Sequence, residues 1–207
     1  AWMLAAGLQF ALLNTVARYM TAELGPTEAQ FFRYFMGLLV MVPFMLRSGL
    51  AAWVPHNVSG QFWRGAVHTT GLTMWFMSLP HVPLADLTAI GFTTPLFIMA
   101  GGMIFRGEPF VRARWVAAGI GLAGVLVVMW PKLSGVGDPL WTLVMLASTP
   151  VFAASFLITK ALTRRDRPEV IVAWQGLTIS LFSLPMAVAT GWGWPPPRGV
   201  GRVALGG

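Results

Sequence analysis

Apolar residues run along this chain in long blocks. They show neither the alternation of a half-buried strand nor the one-sided period of a surface helix. Seven blocks stand out, at about 1–21, 29–46, 62–79, 84–105, 113–130, 140–162 and 170–191. Each is long enough to cross a hydrocarbon core of roughly 30 Å as a helix. In lipid only helices and closed barrels satisfy their own backbone groups. The blocks are too long and too continuous for the ~10-residue alternating strands of a barrel. The pattern predicts an all-α polytopic membrane protein with about seven transmembrane helices.

The fourth block departs from a plain anchor. It contains GFTTPLFIMAGGMIFRGEP at residues 91–109. Pro95 lacks a backbone donor and clashes with the carbonyl four residues back, which loosens that turn. Thr93 and Thr94 can take up the freed carbonyls or present hydroxyls to a cavity. Gly101 and Gly102 allow a neighbouring helix to approach closely, as do Gly119, Gly121 and Gly124 in the fifth block. Such a span is either an inert kink or a moving helix that lines a cavity. The second reading is the one taken here.

Composition agrees with the blocks. Hydrophobic residues make up 56% of the chain and charged residues 10%, against about a quarter charged in soluble domains. The net charge is +7, which on a soluble protein would suggest a nucleic-acid partner. Here the basic residues sit between the apolar blocks, so membrane topology explains them and no nucleic acid is expected. Arg47 and Arg64 follow the second block, Arg106, Arg112 and Arg114 the fourth, and Lys160, Arg164, Arg165 and Arg167 the sixth. The odd-numbered connections carry at most Lys132. The positive-inside rule therefore puts the even connections and the N-terminus in the cytoplasm, in an inner (cytoplasmic) membrane. The chain has no cysteine, so disulfides and thiolate metal sites are excluded. The first residues show no signal-peptide pattern. Both ends read as cuts in a longer protein.

The chain also matches itself without gaps at an offset of 142 residues. That offset lays Met3–Ala5 on Met145–Ala147, Arg18 on Lys160, Pro26 on Pro168, Pro43 on Pro185 and Gly49 on Gly191. Blocks six and seven then begin a second copy of blocks one and two. A unit of five crossings reverses direction, so the two copies face opposite ways. Inverted repeats of this kind are characteristic of secondary transporters.

A family resemblance lies in WFMSLPHVPLADLTAIGFTTPLFIMAGGMIFRGEPFVRARWVAAGIGLAGVLVVMWP, with its turn into PLADLTAIGFTTPLF, its RGEP and its Gly-rich fifth helix. Arg33 in FFRYFMGLL belongs to the same pattern. These residues resemble the EamA family of the drug/metabolite transporter (DMT) superfamily. The resemblance implies ten helices in two inverted five-helix repeats. Residues 1–131 would be the first repeat, and 138–207 a truncated start of the second. It also implies an inner-membrane secondary transporter, an exporter of small metabolites such as amino acids or related compounds, working by alternating access. Expected partners are a small-molecule substrate, the lipid bilayer and, where the protein associates, a second copy in a homodimer. The alternative, from a different class, is a non-transporting subunit or scaffold that associates through its helices.

Candidate cavity residues are Asn14, Arg33, His68, Trp75, Thr93, Thr94 and Pro95. Arg33 near the start of the second span could clamp an anion, snorkel to headgroups or pair with Glu28. His68 is the one histidine within a span. It either meets substrate and titrates, or stays neutral and hydrogen-bonded between helices. Trp75 and Phe76 could stack on a planar substrate or simply pack. Trp63, Trp115, Trp130 and Trp141 read as interfacial anchors. Glu108 is expected to cap a helix end beside Arg106 or Arg112, and Asp86 to be an N-cap. No nucleophile–His–acid grouping, metal-spaced cluster or phosphate loop is present. An enzyme is the weaker class, and no cofactor is implied.

Overall fold

The computed structural model describes residues 2–130 and 138–190. Among them all regular structure is helical: α1 (Trp2–Leu24), α2 (Pro26–Ser48), a 3-10 turn (Leu50–Trp53), α3 (Val58–Ser78), α4 (Leu84–Gly91), α5 (Thr94–Arg106), α6 (Arg112–Met129), α7 (Pro139–Leu162) and α8 (Pro168–Ala189). Proline opens α2, α7 and α8, where its missing N–H costs nothing. The Asn57 side chain accepts from Gly60 N to cap α3, and Asp138 accepts from Leu140 N to cap α7. Gly25, at φ 86°, reverses the chain between α1 and α2 in a single residue.

The α4–α5 pair forms one interrupted span, so the helices amount to seven rods. Four of them, α2, α4–α5, α7 and α8, are both long and apolar enough to cross a membrane. At 23, 21 and 18 residues, α1, α3 and α6 have the length to do so. The chain is a multi-pass membrane protein.

The interruption falls at Phe92–Thr93, ahead of Pro95. Thr93 N and Thr93 Oγ1 both donate to Ile90 O, at 2.9 and 2.7 Å. The threonine thus takes up a carbonyl at the break. Thr93 Oγ1 also reaches Thr149 Oγ1 on α7 at 3.3 Å. Gly107, in the left-handed region at φ 63°, ends α5, and Glu108 N donates to Gly102 O.

Contacts along each pair give the packing directions. From α3 to α7, Arg64 meets Thr159, His68 meets Ser155 and Ser78 meets Trp141 O, so the two run antiparallel. From α3 to α8, Arg64 meets Gln175 and Thr73 meets Met186, so these run parallel. Helix α3 lies between α7 and α8. Its small residues permit this: a Cβ on Gly65 would overlap Thr178 on α8, and one on Gly71 would lie 3.2 Å from the Phe152 ring on α7. Between apolar helices in lipid, such close packing and interhelical hydrogen bonds replace the hydrophobic drive of water. Leu72, Phe76, Leu79, Val82, Leu87, Met145 and Ile179, with Ala17 and Ala29, form an apolar core.

Gly101 does face α7, where its Cβ would stand 2.6 Å from Leu157 Cδ1. Gly102 faces Glu108 instead. Among the described residues, nothing lies within 4 Å of a Cβ at Gly119, Gly121 or Gly124. Helix α6 packs at the edge, against α4 and α5.

Candidate functional site

Helix α3 turns a polar face inward. Gln61, Arg64, His68 and Thr69 on this face are all buried. Spacings of three and four residues put Gln61, Arg64 and His68 on one side of a helix. Arg64, 4% exposed, donates from Nε to Thr159 Oγ1 (2.6 Å), from Nη1 to Ile171 O (3.2 Å) and from Nη2 to Gln175 Oε1 (2.5 Å). Gln175 in turn contacts His68 Nε2 at 3.1 Å, and His68 Nδ1 contacts Ser155 Oγ at 3.0 Å. Tyr34 Oη on α2 lies 3.5 Å from His68 Nε2. Four helices thus share one hydrogen-bonded layer, which is the way a buried polar group becomes tolerable in a membrane bundle.

A second polar layer lies about one turn further along α3. Buried Gln30 on α2 donates from Nε2 to Ser183 Oγ on α8 (2.8 Å) and accepts from Thr73 Oγ1 on α3 (3.2 Å). Beyond it Thr27 and Thr190 Oγ1 meet at 2.7 Å. They border a cavity of about 180 Å³ that also touches Glu28 and Met77. A larger groove of about 570 Å³ lies between α5 and α7, lined by apolar residues and Arg106, away from both polar layers.

The basic end is braced by polar links from the helices before residue 131 to α7 and α8. Asp166 accepts from His56 N (2.8 Å) and from Gln61 Nε2 (3.1 Å), and its Oδ1 lies 2.9 Å from His56 Nδ1. Burial raises the Asp166 pKa, but these hydrogen bonds outweigh it, and the net shift is downward. Glu108 pairs with Lys160 at 2.7 Å and Arg106 at 3.6 Å. The Lys160 hydrogen bond, with the nearby positive charges, lowers the Glu108 pKa. Arg167 donates to Ala52 O and Trp174 to Trp53 O.

Of the residues singled out from sequence, His68 stands within the first polar layer. Arg33 is half-buried beside it, its guanidinium 5.7 Å from the Tyr34 ring centroid. Trp75 is half-buried, edge-on to Phe76 at 5.1 Å. Thr93 and Thr94 are half-buried on the α4–α5 rod, Thr93 bonded to α7, while Pro95 is exposed. These three do not join the His68 layer. The side chain of Asn14 lies outside the described residues.

Two expectations are corrected. Arg64 is no connection charge, but a buried residue of α3. Asp86 stands within the first turn of α4, whose N-cap is Pro83. Glu108 does pair with Arg106, as expected, and has a second partner in Lys160 across on α7. Of the tryptophans, Trp63 and Trp130 are exposed, whereas Trp141 stacks on His81 at 4.6 Å. Sequence reading missed Arg64, Gln175, Tyr34 and Ser155. The i, i+3, i+7 polar spacing of Gln61, Arg64 and His68 was the available signal for the first.

A bundle of apolar rods that hides an arginine, a histidine and several amides between its helices defines a polytopic helical membrane protein with a polar interior. The EamA-like transporter family matches residues 1–130, and the chain belongs to that family within the drug/metabolite transporter superfamily. It is similar to a riboflavin transporter of Rhizobium johnstonii, 34% identical over 197 residues, 94% of this chain and 64% of that protein. An S-adenosylmethionine uptake transporter of Rickettsia prowazekii is 24% identical over 187 residues, 90% and 63% of the two chains. The pseudopaline exporter CntI of Pseudomonas aeruginosa is 25% identical over 181 residues, 87% and 63%. The chain therefore spans a little under two thirds of the length of these relatives. No solved structure matches it.

Proposed function

We propose that the chain is the larger part of an inner-membrane secondary transporter for a small polar metabolite, which binds between two inverted repeats. The observation that carries this is the crossing of α2 and α8, the two helices superposed by the 142-residue offset. They run antiparallel: Thr27 meets Thr190, Gln30 meets Ser183, and Leu38 Cβ lies 3.3 Å from a Cβ built on Gly176. That same Cβ lies 3.6 Å from Tyr34 O, and Tyr34 is the repeat counterpart of Gly176. Antiparallel contact between equivalent positions is what a two-fold axis in the membrane plane produces. The His68 layer sits beside that crossing, where alternating-access carriers hold substrate. The N-terminus lies in the cytoplasm, and the braced basic end is the cytoplasmic gate.

The relatives make riboflavin and S-adenosylmethionine the first substrates to assay. Their names include both an uptake transporter and an exporter, so export, expected from the resemblance, is measured against uptake. The full-length protein in proteoliposomes should move one of these labelled compounds at least tenfold faster than empty liposomes. Loading the compound inside and then outside gives the direction. A full-length protein that moves neither them nor a wider metabolite panel would sink the carrier reading.

A further inference from the structure

We propose that what this chain recognises is a planar heteroaromatic ring, read along its polar edge by Gln175 and Arg64 and held between aromatic side chains. The inference rests on the carrier reading and specifies its substrate class. Gln175 is half-buried, and its amide offers a donor and an acceptor in one plane. Its two ends are occupied by His68 and Arg64. Arg64 presents five donors in a fixed fork, suited to adjacent acceptors on a ring edge. Among the described residues no carboxylate lies within ion-pair distance of it; its acceptors are a hydroxyl, a carbonyl and the Gln175 amide. Amide and guanidinium side chains are the groups that read two neighbouring edge atoms of a heterocycle at once.

The surroundings are aromatic. Tyr34, Phe152 and Phe156 stand edge-on around His68, at centroid distances of 6.4, 5.3 and 6.3 Å. Ring faces stack on planar ligands, whereas a sugar alcohol or an alkyl carboxylate has no flat face to match them and gains far less. Thr69 Oγ1 and Ser180 Oγ, buried on the same two helices without a hydrogen-bond partner, offer further polar contacts. In the arrangement seen, α3 and α8 are pressed together at Gly65 and Thr178, so the edge-reading groups bond to one another. Rocking α8 away from α3 separates Gln175 from both Arg64 and His68 and turns all three toward a ligand.

The test is calorimetric titration of the full-length protein in lipid nanodiscs. The ring compounds are riboflavin, its ring fragment lumichrome, and adenine; ribitol and methionine are the ring-free controls. A ring compound should bind and the ring-free pair should not, and Gln175→Glu should weaken ring binding at least tenfold. That variant keeps the side-chain size and can pair with Arg64, so it is expected to fold, which its melting temperature checks. Phe152→Leu, which removes only a ring, should weaken the same binding severalfold. The proposal is overturned if no ring compound binds, if ribitol or methionine binds as well as the rings, or if Gln175→Glu leaves ring affinity unchanged. Flux without ring selectivity would remove this inference and leave the carrier. Ring binding without flux would do the reverse.

Discussion

Gly65 shows how much one hydrogen atom decides in this bundle. A methyl group there would overlap both Thr178 Oγ1 and Cβ, and the Cβ cannot rotate away. Gly65→Ala should therefore destabilise the protein by about 1–3 kcal/mol, the usual range for overpacking a filled contact. Gly119→Ala, with nothing described within 4 Å, should leave stability unchanged or slightly raised. Thermal unfolding in detergent compares the two. Asp166 makes a pH prediction at the same scale. Folding lowers its pKa below the ordinary 3.8, so the folded protein holds that proton less tightly than the unfolded chain. Its stabilising contribution is complete above that value and is lost as pH falls through the folded-state pKa. Melting temperature measured downward from about pH 6 should drop in acid, and Asp166→Asn should flatten the part of the drop due to this carboxylate. An unchanged acid slope in the variant would show that its hydrogen bonds to His56 and Gln61 contribute no linkage.

At the scale of an element, the α4–α5 rod was legible as an interrupted span because proline, paired threonines and paired glycines each have a local physical effect. The position of the break was less legible. It falls at Phe92–Thr93, where Thr93 donates to Ile90 O and to Thr149, contacts that depend on α7 being alongside. Pro95 stands in the first turn of α5, and Pro95→Ala adds a backbone N–H there that allows the helix to continue back across the break. The variant should protect residues 88–97 more strongly in hydrogen exchange. If the break hinges the rod during transport, flux should fall without loss of stability. Helix α3 teaches the opposite lesson. Arg64 looked like one more basic residue beside a membrane span, since charge counting assigns any arginine near a span end to the headgroups. Only the wedging of α3 between α7 and α8 turns it inward.

For the whole molecule, the polar links at the basic end join the helices before residue 131 to α7 and α8. In a carrier that alternates, these links must part each time this end of the bundle opens. The absence of cysteine makes this directly testable. Glu108→Cys with Lys160→Cys, joined by a short cleavable thiol cross-linker, should stop transport in the full-length protein, and reduction should restore it. Each single variant, losing one exposed ion pair, should cost at most about 1 kcal/mol of stability. Full flux in the cross-linked protein would show that this pair never separates.

The class could be read from the chain alone: seven apolar blocks admit only a helical membrane protein, alternating charge orders the connections, and short motifs name the family. Those features are local, because a residue's cost in lipid and a proline's effect on a helix depend little on what lies across the bundle. Which polar residues meet is a different matter. Tyr34, Arg64, His68, Ser155 and Gln175 come from four helices separated by up to 141 positions. Their meeting depends on how each helix is rotated, and that is set by where glycine lets two backbones close. Apolar blocks hydrophobic on nearly every side carry too weak a periodic signal to reveal that rotation, so the site emerges with the packed bundle.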